Sequence, residues 1–172
     1  HPPNIIPFFR KIICTAMLAF PAFCYSQHLR FEHIGTQEGL SQINVTRIIQ
    51  EDRGFMWVGT DDGLNRYDGY KFITYRHDPN DINSLSSNVV SDLVQDNDGN
   101  LWVATRNGLN KLDIKTGKFI RYLHDNTNLN SISNNNINKL ALDDVGYLWI
   151  GTESGGLDKL DTKKNLFKRY KL

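Results

Sequence analysis

Cysteine is almost missing from this chain. Of 172 residues only Cys14 and Cys24 carry a thiol, and both lie in one N-terminal apolar stretch. Beyond Cys24 there can be no disulfide framework, no cysteine metal ligand and no cysteine nucleophile. An excess of one charge is missing too: 20 Lys and Arg face 19 Asp and Glu, leaving a formal charge of +1. That balance removes the electrostatic reason to expect nucleic acid or an anionic surface as partner, and leaves a neutral ligand such as a sugar open. No apolar run reaches the roughly 20 residues that a membrane-spanning helix needs. The five histidines form no H-x-x-x-H pair, so metal ligation is not expected from His28, His33, His77 or His124. No nucleophile elbow, Ser/His/Asp order, paired-carboxylate constellation or ATP-binding motif stands out. Catalytic residues, metal and cofactors are accordingly expected to be none.

What is present begins with a separate N-terminal segment. Arg10 and Lys11 precede "IICTAMLAFPAF", and the small Ser26 stands just before Gln27. A positive start, a short apolar run and a small residue at a possible cleavage point read as a secretory signal peptide over residues 1–26. An uncleaved anchor, a buried helix or a lipoprotein site at Cys24 are the competing readings, and bulky Phe23 counts against the last.

The remainder repeats itself. "RGFMWVGTDDGLNRYDG" (Arg53 to Gly69), "DGNLWVATRNGLNKLD" (Asp98 to Asp113) and "VGYLWIGTESGGLDKLD" (Val145 to Asp161) are three versions of one phrase. All three tryptophans of the protein sit in it, Trp57, Trp102 and Trp149, spaced 45 and 47 positions apart. A fixed period of this size is the signature of a repeat architecture. Within one period, runs of alternating apolar and polar residues such as "NLWVATR" and "GKFIRYLH" argue strand. In the first of these, Leu101, Val103 and Thr105 share one face, and Trp102 and Ala104 the other. Asp98-Gly99, Asn107-Gly108 and Thr116-Gly117 supply hairpin turns. Four short strands in about 45 residues make a meander the size of one propeller blade. The expected fold is all-β, with β-propeller blades in the form of three four-stranded antiparallel meanders and an incomplete ring. An N-terminal closing strand is expected in "LRFEHIG" (Leu29 to Gly35), where Phe31 matches Phe72, Phe119 and Phe167. The expected organisation is a signal peptide over 1–26, closing strand and loop over 27–40, and blades over 41–80, 81–127 and 128–172. Gly59, Ala104 and Gly151 are read as small residues where neighbouring sheets converge. Asp52, Asp98 and Asp144 are read as acceptors for turn amides.

The phrases "GLSQINVTRIIQEDRGFMWVGTDDGLNRYDG" and "NSLSSNVVSDLVQDNDGNLWVATRNGLNKLD" resemble the two-component regulator propeller family, over about Leu29 to Leu172. The resemblance implies the periplasmic sensor region of a hybrid two-component system. It further implies many repeats, a membrane helix, a histidine kinase and a DNA-binding region, none of which this stretch contains. The chain is thus expected to be an N-terminal piece of such a sensor. It would attach to the membrane only through the rest of the family architecture, would not carry out phosphorelay by itself, and would be completed by remaining propeller blades or another copy of the chain.

Recurrence of tryptophan at one register in every repeat favours inter-blade packing over a sugar-stacking platform. "DNDGN" (Asp96 to Asn100) opens like a calcium loop, yet Leu101 and Asn107 stand where glycine and glutamate are wanted, so a turn is expected. Variable residues on a constant scaffold are where ligand contacts belong. These are Asp61 and Asp62, Arg106 and Asn107, and Glu153 and Ser154, all in the turn after the tryptophan strand. The function expected is a non-catalytic periplasmic ligand-sensing segment of a two-component sensor, responding to a glycan or oligosaccharide. The alternatives are an interaction scaffold and a propeller lyase or glycosidase.

Overall fold

The computed structural model describes residues 30–170, so the expected signal peptide lies outside the described residues. From Ile34 onward the chain forms one compact unit. A single 3₁₀ turn, Thr36–Glu38, precedes twelve strands: β1 (Val45–Gln50), β2 (Met56–Thr60), β3 (Gly63–Tyr67), β4 (Phe72–Tyr75), β5 (Val90–Gln95), β6 (Leu101–Thr105), β7 (Gly108–Asp113), β8 (Lys118–Tyr122), β9 (Ile137–Leu142), β10 (Tyr147–Thr152), β11 (Gly156–Asp161) and β12 (Leu166–Tyr170). They pair in chain order into three four-stranded antiparallel sheets, which are the three blades.

The alternation within each strand explains why the sheets stack. Leu101 and Val103 of β6 enter a core with Trp57 and Leu64 of blade 1, joined by Leu85, Leu93, Leu112 and Phe119. The opposite face of the same strand, Trp102 and Ala104, enters a second core with Ile137, Leu148, Ile150 and Leu160 of blade 3. One period-2 pattern therefore feeds two interfaces, so a middle strand is buried on both sides.

Close approach between blades 1 and 2 depends on the small residue two positions after the tryptophan of β2. A Cβ on Gly59 would stand 2.7 Å from Val90 Cγ1 of the next blade. At Gly151 the nearest atom is 3.8 Å away, in Lys139 of its own sheet. An irregularity of register recurs in each inner strand, between Val45 and Arg47, between Val90 and Asp92, and opposite Gly151 and Thr152 of β10. Bulges of this kind re-aim the following side chain. Here they bring Arg47, Asp92 and Lys139 to one level. The carboxylate of Asp92 lies 3.3 Å from the guanidinium of Arg47 and 3.8 Å from the ammonium of Lys139. It also accepts the Leu140 backbone N–H at 3.1 Å.

One expectation is corrected. Arg30 to Ile34 is not a strand, and Phe31 is 90% exposed rather than packed like Phe119. The physical reason is that each repeat supplies four strands of its own. The outer place of the third sheet is held by its own β12.

Candidate functional site

The variable turns and the long linkers share one end of the blades. Gly63, which closes the β2–β3 turn, donates its N–H to the Asn88 carbonyl of the following linker at 2.7 Å, and Gly108 does the same to Asn135 at 2.7 Å. Both glycines have positive φ, 118° and 115°, a backbone region that side chains disfavour. The linkers are ordered by repeated contacts. His77 and His124 donate their backbone N–H to the side-chain oxygens of Asn88 and Asn135, each at 2.7 Å. Their ring Nδ1 atoms lie 2.8 and 2.7 Å from the Leu85 and Ile132 carbonyls. These histidines, set aside above as metal ligands, thus brace the loops.

Beneath the turns runs a buried polar network with one member from each of three places. Asn65 in β3 accepts the Ser41 N–H at 3.1 Å and donates Nδ2 to the Ser41 hydroxyl at 2.8 Å. Asn110 in β7 repeats both bonds to Ser86, at 3.0 and 2.8 Å. The serine hydroxyls meet Thr60 and Thr105 at 2.8 and 3.0 Å. In blade 3 the same position holds Asp158. It accepts the Ser133 N–H at 2.7 Å, while its second oxygen is buried without a partner. Desolvation by burial raises its pKa above the ordinary 3.8.

The six candidate residues divide into two kinds. Asp61 and Asp62 are half-buried and already engaged: Asp61 accepts from Asn44, and Asp62 pairs with Arg76 at 3.0 Å and accepts from Asn88 at 3.4 Å. Arg106, Asn107, Glu153 and Ser154 are exposed, although Asn107 donates to the Ser86 carbonyl at 3.4 Å, Glu153 accepts from Asn136 and Ser154 accepts from Asn134 at 2.8 Å. Glu153 and Ser154 line a cleft of about 670 Å³ with His124, Asn126, Leu129 and Arg169. The linkers add two exposed apolar side chains at matching positions, Ile82 at 78% and Leu129 at 79%. A second cleft of about 550 Å³ lies at the opposite end, among Glu51, Arg53, Asp98, Asn100, Asp113 and Lys115.

Several structural roles were not found from sequence. The acids that hold the turns are Glu51, Asp96 and Asp143, not the exposed Asp52, Asp98 and Asp144. Each accepts the indole N–H of its tryptophan, at 2.9, 2.8 and 2.9 Å. The indole bond of Trp149 is the main cause holding the Asp143 carboxyl below its ordinary value. In "DNDGN", one Asp96 oxygen accepts the backbone N–H groups of Asp98 and Asn100 at 3.0 and 2.8 Å, which makes it the expected turn. Arg121 reaches across the sheet to the Asp81 and Ser84 carbonyls, each at 2.8 Å, and Arg169 binds the Asn128 and Ser131 carbonyls at 3.0 and 2.9 Å. A signal existed: arginine stands in the fourth strand of the two repeats with long linkers, and Thr74 in the one without.

Comparison with known proteins fits this geometry. Residues 84–107 and 131–154 match the two-component regulator propeller. A 76-residue stretch, 44% of this chain, is 39% identical to histidine kinase P4 of Formosa agariphila, of whose length it spans 6%. The fold is similar to the extracellular domain of BT3049, assigned to the hybrid two-component systems of B. thetaiotaomicron. That likeness has a TM-score of 0.75 and 29% identity, over 81% of this chain and 20% of that one. PorZ, a surface component of the type-IX secretion system of Porphyromonas gingivalis, is similar at a TM-score of 0.52 and 25% identity, over 66% of this chain and 17% of its own. Among the described residues no helix is long and apolar enough to cross a membrane.

Proposed function

We propose that this chain, whose residues 84–107 and 131–154 match the two-component regulator propeller, is a periplasmic, non-catalytic ligand-sensing segment of a two-component sensor whose ligand is a glycan or oligosaccharide. The observation that carries the reading is the division of labour at the linker end of the blades. The recurring Ser and Thr groups, with Asn65 and Asn110, are spent on one another beneath the surface, while Arg106 and Asn107 differ from their counterparts and are exposed at the end of the blades where the linkers expose Ile82 and Leu129. Polar groups interspersed with small apolar patches suit a sugar, which presents both hydroxyls and C–H faces. Variable surface residues on a repeated frame are the usual place for specificity. Kinase activity and transmission across the membrane belong, in this reading, to other parts of the sensor.

The test is titration calorimetry of the full chain against a panel of neutral and acidic oligosaccharides, with product analysis on the same mixtures. Binding without turnover is expected. In the double variant Arg106→Ala/Asn107→Ala the affinity should drop by at least about tenfold, or about 1.4 kcal/mol. Turnover would replace the sensor reading with an enzyme. Affinity unchanged by the double variant would remove these turns from the site.

A further inference from the structure

The clearest departure from the repeat lies at the end of the blades opposite the variable turns. In blade 2, one oxygen of Asp96 holds the Trp102 indole, and the other accepts the turn N–H groups of Asp98 and Asn100. Asp143 repeats this with Trp149, Val145 and Tyr147. Blade 1 carries Glu51 at the same position, one methylene longer. Its Oε2 keeps the indole bond to Trp57 at 2.9 Å, but its Oε1 is buried and accepts no hydrogen bond among the described residues. The whole residue is 4% exposed. The one ion-pair partner of that oxygen among the described residues is Arg53. The guanidinium Nη2 stands 3.1 Å away without the alignment of a hydrogen bond, on a side chain that is 58% exposed.

Glu51 lines the cleft of about 550 Å³ between blades 1 and 2. Asp52 and Asp98 stand exposed at its rim, and half-buried Ile114 forms an apolar wall against the core. Asp113 spends its carboxylate on its own turn, through Thr116 and the Lys115 N–H. The junction of blades 2 and 3 does not match this site. Its equivalent residues, Val145, Gly146, Tyr147, Asp161 and Lys163, line a cleft of about 210 Å³ whose described walls all belong to blade 3. Val145 stands there in place of Asp98. Acid, space and an unmet buried acceptor therefore coincide at one junction, where the packing of the repeats does not require them.

We propose that this cleft binds a small molecule carrying a primary ammonium group. A buried carboxylate oxygen without a donor is costly, and the donor that suits it best is a charged one. Among the described residues no three acids are placed to share a metal ion. The arrangement suits instead an ammonium, which donates three separate N–H bonds. The ammonium binds Glu51 Oε1 and displaces the Arg53 guanidinium toward solvent. Asp98 and Asp52 add attraction at the rim, and Ile114 covers the carbon frame. The site lies at the far end from Arg106 and Asn107, and it does not rest on the ligand proposed for those turns.

The test is a titration of the isotope-labelled full chain at neutral pH, read from amide shifts, with glucosamine, ethanolamine and N-acetylglucosamine as probes. An amine should shift the amides of Glu51, Arg53, Gly99 and Ile114, and N-acetylglucosamine, which lacks the charge, should leave them in place. Tighter binding of glucosamine assigns the ammonium to an amino sugar, and equal or tighter binding of ethanolamine assigns it to a simple alkylamine. Glu51→Asp gives blade 1 the acid of the other two blades and should weaken amine binding by about tenfold or more. Arg53→Ala removes the resident cation and should tighten it by about threefold. Asp98→Asn, at an exposed position whose side chain holds nothing in the turn, should weaken it by about threefold. Three results would each overturn the inference: no shift at the cleft with either amine, equal shifts with N-acetylglucosamine, or unchanged affinity in both Glu51→Asp and Asp98→Asn. Weaker binding in Arg53→Ala would also overturn it, because the arginine would then hold the ligand and not compete with it.

Discussion

At the scale of single residues, equivalent positions in the three repeats differ in environment, and that makes them internal controls. Gly59 and Gly151 share a register, but only Gly59 has Val90 2.7 Å from its would-be Cβ. Gly59→Ala should cost about 1–3 kcal/mol through overpacking, whereas Gly151→Ala should be close to neutral, as urea denaturation of both variants will show. Asp158 gives a second contrast. Its partnerless oxygen occupies the place where Asn65 and Asn110 donate to a serine hydroxyl. Because its folded pKa lies above 3.8, the folded state holds the proton more tightly. The stability that proton contributes is complete below 3.8 and is lost as pH rises through the folded value. Asp158→Asn supplies the donor permanently. It should raise stability by about 1–2 kcal/mol at neutral pH and flatten the decline between mildly acidic and neutral pH. Denaturation midpoints across that range decide, and an unchanged slope would mean that the carboxylate is satisfied in some other way.

At the scale of elements, the strands were legible because alternation is a local property. "NLWVATR" announces two faces, and both are used, Leu101 and Val103 toward blade 1 and Trp102 toward blade 3. Packing, rather than sugar stacking, was likewise legible for Trp57 and Trp102 from recurrence alone. What stayed hidden depends on side chains crossing distance. Nothing local distinguishes Asp96, which holds Trp102, from Asp98, which does not, since a shift of two positions in a turn leaves composition unchanged. The variable turns were found, yet Asp61 and Asp62 proved to be tied to Asn44 and Arg76, partners 17 and 14 positions away. The linkers look like polar loops in sequence, but Arg121 anchors one of them from 37 positions away. Arg121→Ala should therefore release the segment from Asp78 to Leu85 while sparing the sheet. The expected result is faster proteolytic nicking in that linker and a loss of about 1–3 kcal/mol, the range for hydrogen bonds from a charged group. Limited proteolysis with mapping of the cut checks it, and cuts that fall first in the β-strands would contradict the assignment.

At the scale of the whole molecule, stability resides in junctions more than in blades. Each core joins two sheets, so the array behaves as a short row of units coupled to nearest neighbours. Trp57 and Trp102 are fully buried within those junctions, while Trp149 on the open face is only half-buried. Trp57→Ala and Trp102→Ala should each cost about 3–5 kcal/mol, and Trp149→Ala about 1 kcal/mol, as for partly exposed positions. Asp92 differs from all three because it serves both junctions at once, through Arg47 on one side and through Lys139 and the Leu140 N–H on the other. A tryptophan deletion should loosen one junction, so that the blade on its far side keeps its slow hydrogen exchange. Asp92→Ala should instead raise exchange in blades 1 and 3 together, with a global cost of about 1–3 kcal/mol for the lost buried acceptor. Residue-resolved exchange of the four variants separates the cases. Loosening confined to blade 2 in Asp92→Ala would show that the inner-strand charges do not couple the blades, and that apolar packing alone links them.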